Sequence, residues 1–481
     1  MSLAAKPPSD PIGQLRREMG FWDVLLFNIA AVLGPRWIAA AAHNGTSSIS
    51  LWVLAALLFF VPTAFVITEL STRFPHEGGL YVWSKEAFGD FHGFVAGWTY
   101  WVYSFFYFPG LLFASAAMSA YVGGSSWGHL AQNRTFLLWG SFALLFIAVG
   151  MNIVGLNIGK WLQNAGGVGT YVPLLLLVGA AGVVGWKYGS VTHFTWSNLK
   201  PVWNWDTVNF WPQIAFAFTG LELVSAMSDE IRDARRTLAR AIWSSGILIA
   251  VIYIAGTLAV LMLLQDVQVN PTSGVFQALT VASTILKLSF IGMLAAFLVT
   301  FGNAGGVGTT VAGLARVPFV VGVDRYLPAF FGKIHPRWRT PYVAILVQGA
   351  ISVVVLLLGQ INESPVTAYQ KLVDIATILY FIPFLYMYAA VIRLAARKDR
   401  RNNEHAVLIP GGKFGVWLAG GLGFAVTVLA IVLSFVPPGE TPNKRLWFIE
   451  LIGVTLGCVL LGLLLYWRGA RAKARELSAG D

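Results

Sequence analysis

The chain has 481 residues, of which 57% are hydrophobic and 11% charged, with 14% aromatics and 50 glycines. Soluble domains carry about 25% charged residues, so this deficit excludes an ordinary cytosolic enzyme and fits a polytopic helical membrane protein. The single cysteine, Cys458, excludes intrachain disulfides and any C-x-x-C metal or redox site. The net charge of +11 would suit nucleic acid only if the basic residues formed one patch.

Residues 1–20 lack the apolar core of a cleavable signal and are expected to form a cytoplasmic N-terminal segment. Twelve apolar runs follow, at 21–42, 49–72, 91–121, 135–156, 161–186, 210–229, 241–264, 287–315, 341–358, 368–393, 415–435 and 446–467. A membrane helix needs about 20 such residues, and these runs are too long and continuous for barrel strands. With the N-terminus in the cytoplasm, cytoplasmic segments hold 25 of the 33 Lys and Arg, counting Arg393 at the inner end of its span among them, the opposite side holds five, and the spans hold the other three. This asymmetry places both termini inside. It also assigns the basic clusters, Arg316 to Arg339 among them, to topology and lipid headgroups, so nucleic acid is not needed as a partner.

Span 1 is interrupted at its middle by Leu33-Gly34-Pro35-Arg36, where Pro35 cannot donate a helical hydrogen bond. Span 6 carries Phe218-Thr219-Gly220 followed by Glu222, an ionisable residue at depth. Two interrupted helices in corresponding positions point to a secondary transporter with its site at the midplane. A charge there must face a cavity or a partner. Arg36 therefore either contacts a substrate carboxylate, pairs with Glu222, or has another partner. Glu222 is also a candidate proton carrier.

The segment Glu69–Trp83, ELSTRFPHEGGLYVW, leads into KEAFG and GFVAGW, and it resembles the amino acid–polyamine–organocation superfamily. So do FAFTGLELVSAMSDEIRDARRTLARAI at Phe216–Ile242 and DRYLPAFFGKIHPRWRTP at Asp324–Pro341. The GLE at 220–222 is most similar to that superfamily's acid-resistance antiporters and glutamate/GABA exchangers. The resemblance implies an all-α, leucine-transporter-like fold of about 12 membrane helices. Residues 21–186 and 208–394 would be inverted repeats of five spans each, 414–467 two peripheral spans, and 468–481 a cytoplasmic tail.

It also implies a substrate site. The family's glycine-rich turn falls on Val32, Leu33, Gly34, Pro35 and Arg36, with Arg36 where a second glycine is usual. Its span 6 aromatic gate falls on Phe216, and its unwound segment on Phe218, Thr219 and Gly220. Span 3 would present Tyr103, Ser104, Tyr107 and Phe108, and span 10 Tyr380. The substrate carboxylate is expected near Arg36, with acidic selectivity as an extension, and its ammonium near the carbonyls of Val32 and Phe218. No lysine stands in the apolar part of span 5, where Thr170 takes the family position, so a lysine-gated proton mechanism is not expected. Thr309 and Thr310 of span 8 are candidates for a sodium ion.

The implied function is a plasma-membrane transporter of amino acids or related amines working by alternating access, with sodium or a proton as coupling ion. The alternatives are a polyamine or organocation carrier and a non-transporting nutrient sensor. No catalytic set is visible and no cofactor is expected: His76-Glu77 lacks the second His of a zinc-protease helix, and Gly155–Lys160 is one residue short of a phosphate loop. Lys371 and Asp374 are expected to pair locally. The heptapeptide NAGGVGT occurs twice, at 164–170 and 303–309, and close packing of spans 5 and 8 is its expected use.

Overall fold

A computed structural model describes residues 17–202, 205–271, 273–288, 290–358, 365–397, 406–437 and 443–480. Among these residues there is no β-strand, and one isolated parallel bridge joins Met19 to Ile231. Each of the twelve expected spans falls on helix. Ten described helices are long and apolar enough to cross a membrane. The other two spans are short: span 9 is Tyr342–Leu358, and span 6 is cut into Trp205–Ala217 and Leu223–Glu230. An all-helical answer follows from the solvent, because lipid offers no partner to backbone groups and a helix satisfies its own.

Spans 1 and 10 are the most enclosed, with 83% and 72% of their apolar windows buried, whereas span 12 is 17% buried and lies at the periphery. Span 1 needs that enclosure because its backbone is broken. The helix of span 12 runs on as Lys444–Gly480, through most of the expected tail. There Lys473 lies 4.5 Å above the Tyr326 ring. Two short helices, Leu80–Phe88 and Gly274–Ile285, lie in connections that carried no span signal.

The repeated heptapeptide has a definite use. Its two copies meet face to face: a Cβ on Gly166 would stand 2.6 Å from Gly305 Cα. Both copies also press on span 1, since a Cβ on Gly167 would reach Leu26 O at 2.6 Å and one on Gly306 would reach Ala30 O at 2.7 Å. Glycine is required here because any side chain would push three backbones apart.

At the end of the molecule carrying the N-terminal segment, the Glu230 carbonyl accepts from the amides of Glu18 and Met19, and Arg232 N–H donates to Met19 O. The Glu230 carboxylate receives Arg316 Nε at 2.7 Å and Nη2 at 3.2 Å, and Glu77 Oε1 lies 3.7 Å from the same Nε. Arg316 is 1% exposed, so it is an internal ion-pair residue rather than a headgroup contact. Burial first, and the Glu230 carboxylate second, push the Glu77 carboxyl well above its usual range. Lys371 pairs with Glu450 of span 12 at 2.5 Å rather than with Asp374, because the neighbouring helix brings a carboxylate within its reach.

Candidate functional site

Span 1 stops at Val32 and restarts at Pro35, with Leu33 and Gly34 extended between the halves. Pro35 opens the second half, where its missing N–H costs nothing. Gly34 has a negative φ of −122°, so its value is space. A Cβ there would meet Trp37 Cδ1 at 2.9 Å. In span 6 the first half ends at Ala217, and the amides of Phe218 and Thr219 close the last turn on Ala215 and Phe216. Gly220 then takes φ +110°, a conformation L side chains rarely adopt, and the chain resumes as a tight 3-10 helix at Leu223.

The two breaks face one small cavity. Ala31, Val32 and Trp37 line it from span 1; Tyr103 and Tyr107 from span 3; and Phe216, Thr219, Gly220 and Leu223 from span 6. Thr310 of span 8 and Tyr380 of span 10 complete it. The rings form one box around Phe216, whose centroid is 5.8 Å from Trp37, 5.7 Å from Tyr107 and 5.2 Å from Tyr380. Such a lining offers apolar area, π faces for a cation and a few hydroxyls for orientation.

Among the residues expected from sequence, Val32, Tyr103, Tyr107, Phe216, Thr219, Gly220, Tyr380 and Thr310 line this cavity. The others lie around it. Leu33, Gly34 and Pro35 form the buried turn of span 1. Phe218 stacks on Phe60 and stands edge-on to Trp52 and Tyr253. Ser104 donates to Trp101 O and accepts from Gln348 of span 9. Phe108 is fully buried beside Tyr107. The hydroxyls of Thr309 and Thr310 each donate to a carbonyl one turn back in their own helix, Gly305 and Gly306.

Among the described residues no ion pair joins Arg36 to Glu222. Arg36 Nη2 donates to Tyr107 Oη at 2.9 Å, and its guanidinium lies 4.4 Å from the Trp37 ring centre. Glu222 is 1% exposed and held entirely by donors. Oε1 accepts from Tyr100 Oη at 2.8 Å and from Tyr380 Oη, and Oε2 from the Gly220 amide at 3.0 Å. Sequence reasoning missed Trp37, Ala31 and Leu223 in the lining. Trp37 sits three residues beyond Gly34, one turn into the second half-helix, and that spacing was the available signal. Tyr100 and Tyr253 were missed too, since nothing in the sequence says which tyrosines point at a break in another helix.

Comparison with known proteins agrees with this architecture. The family model described as "Amino acid permease" matches residues 19–458. An uncharacterized transporter of Legionella pneumophila is 26% identical over 474 residues, covering 97% of this chain and 99% of its own length. The serine/threonine exchanger SteT of Bacillus subtilis is 27% identical over 469 residues, covering 93% and 95%. The crystal structure of MhsT in complex with L-phenylalanine matches with a TM-score of 0.63 at 13% identity, covering 86% of this chain and 98% of that one. That likeness shows a leucine-transporter-like fold, and the relatives are transporters rather than enzymes. The chain belongs to an amino acid permease family of the amino acid–polyamine–organocation superfamily.

Proposed function

We propose that this chain is a secondary active transporter of amino acids or related amines in the plasma membrane, with both termini cytoplasmic. It works by alternating access, and its substrate sits between the unwound centres of spans 1 and 6. The observation that carries this reading is the aromatic cavity at the meeting point of the two helix breaks. The named activity of SteT, a serine/threonine exchanger, supports an amino acid as that solute.

In this reading the substrate's ammonium lies against the π faces of Phe216, Tyr103 and Tyr380, and its carboxylate is oriented from the Arg36 side. Glu222 is the proposed proton-coupling group, since it stands behind Tyr380 with its carboxylate oxygens fixed. A polyamine carrier is the second reading, favoured by the same box of rings around a cation.

The test is thermal unfolding of the purified protein with the twenty amino acids, GABA, agmatine, putrescine and spermidine, followed by uptake into liposomes. A ligand of the folded state raises the midpoint by mass action. Stabilisation and uptake of one amino acid class are expected. A response to the polyamines alone selects the second reading, and no response removes both. Replacing Glu222 with Gln should flatten the pH profile of uptake; an unchanged profile removes the proton role.

A further inference from the structure

A helix start ordinarily offers its backbone N–H groups to an anion. The second half of span 1, Pro35–His43, has few to offer. Pro35 has no N–H. The Gly34 amide donates to the Tyr253 hydroxyl of span 7 (Ala234–Leu263) at 3.3 Å, and the Trp37 amide turns back to Gly34 O at 3.0 Å. Three of the four backbone donors at this end are therefore absent or spent. A side-chain donor stands in their place. Trp37 lines the cavity and is 4% exposed, yet its indole N–H makes no hydrogen bond among the described residues. The indoles of Trp52 and Trp98, by contrast, donate to Thr257 Oγ1 and Cys458 O. The five-membered edge of Trp37 faces Gly34: the point where a Cβ would stand is 3.1 Å from Nε1 and 3.6 Å from Arg36 Nη1. Glycine at 34 thus leaves the N–H edge uncovered, with a cationic donor next to it. The ring is held in that pose by the Arg36 guanidinium 4.4 Å from its centre and by Phe216 edge-on at 5.8 Å. A buried donor without a partner carries the full cost of its desolvation, and an acceptor on a bound solute removes that cost.

We propose that the indole N–H of Trp37 is the donor that reads the substrate's carboxylate, in place of the backbone of the half-helix, with Arg36 supplying the charge. The inference rests on the transport reading given above and narrows it to amines that carry a carboxylate. The carboxylate oxygen accepts from Nε1, and its charge faces Arg36 Nη1 and the positive end of Pro35–His43. Trp37 is in this way a specificity residue. An amine of the same skeleton without the carboxylate leaves the buried N–H unpaired, and a site built around such a donor rejects a ligand that lacks the acceptor. Polyamines fall in the rejected class.

The experiment titrates the full-length protein with the amino acid that stabilises it most and with the amine formed by removing that carboxylate, reading the rise of the unfolding midpoint with concentration. The wild type is expected to bind the amine about tenfold more weakly, or worse, than the amino acid. Trp37→Phe keeps a ring for Arg36 and Phe216 and removes the N–H. It should weaken the amino acid by about tenfold and leave the amine unchanged, so that the gap between them shrinks. A packing role alone would weaken both ligands alike, as Phe216→Leu is expected to do. The proposal is overturned if Trp37→Phe keeps the wild-type gap or weakens both ligands equally, or if the wild type itself binds the two with equal affinity. Should Trp37→Phe not be recovered folded, Gly34→Ala decides, because its methyl covers the N–H edge: loss of the amino acid with the amine spared supports the proposal, and an unchanged gap overturns it. A wild type that binds amino acids while its variants keep the gap removes this inference alone. A wild type that binds no amino acid removes the transport reading for amino acids and this inference with it.

Discussion

Phe216 is the residue on which the aromatic box converges, because it stands in the last regular turn of a half-helix and faces spans 1, 3 and 10 at once. Replacing it with Leu keeps apolar volume but removes the ring contacts, each worth about 0.5–1.5 kcal/mol. We expect the KM for substrate to rise about tenfold, one to two such contacts, with the maximal rate less affected. A KM unchanged in liposome uptake would place the substrate elsewhere. Tyr107→Phe removes the acceptor of Arg36 Nη2. If Arg36 orients the substrate carboxylate, this variant should weaken amino acids several-fold and leave the corresponding amines unaffected, as competition assays would show. Glycine at 34 and at 220 is readable as a break in sequence, yet the reasons differ: Gly220 supplies a positive φ, and Gly34 makes room for Trp37.

Spans 5, 8 and 1 are locked by glycine faces, so the effect of a side chain depends on which face receives it. Gly167→Val would drive a side chain into Leu26 O, and overpacking of this kind costs about 1–3 kcal/mol. Gly179, in the same helix, faces open space. Gly179→Val should therefore leave the unfolding midpoint within about a degree or two of wild type, while Gly167→Val lowers it by several degrees. Equal effects of the two variants would argue against the clasp. The connection holding Glu77 behaves differently, because its carboxyl is raised in the folded state by burial and by Glu230. A raised acid binds its proton more tightly when folded. Its contribution to stability is complete below the unfolded value of about 4.3 and is lost as pH rises through the folded value. The unfolding midpoint should thus fall as pH rises above about 4.3, and Glu77→Gln should flatten that slope. A slope identical to wild type would assign the titration to another group.

Across the whole molecule, the end with the N-terminal segment is closed by Met19 lying on Ile231 and by Arg316 gripping Glu230. Arg316→Gln leaves Glu230 and Glu77 without a full charge between them, and breaking a buried pair from one side costs about 3–5 kcal/mol. We expect this variant to open that end. In a Cys458→Ser background carrying Ser228→Cys, a membrane-impermeant maleimide should react faster after Arg316→Gln, and from the cytoplasmic side of oriented vesicles. Unchanged labelling would show that the closure does not depend on the ion pair, and labelling from outside would reverse the proposed topology.

The sequence by itself determined the solvent, the helical class, the helical runs and both breaks. Apolar length and the defects of Gly and Pro are local properties, and lipid penalises every unsatisfied backbone group in the same way. The family resemblance carried by its motifs named most of the residues that line the cavity, among them Tyr103, Tyr107, Phe216 and Tyr380. Only the tertiary structure decided the partners. Arg36 goes to Tyr107 and Glu222 to Tyr100 and Tyr380, Lys371 crosses to Glu450, and the two NAGGVGT copies lie on each other. These outcomes depend on which helices become neighbours and how each is rotated, and a periodicity of 3.6 residues records neither. Tyr253 is the clearest case, since its sequence neighbourhood is an ordinary apolar helix and its bonds to Val32 O and Ala217 O exist only where two broken helices end against it.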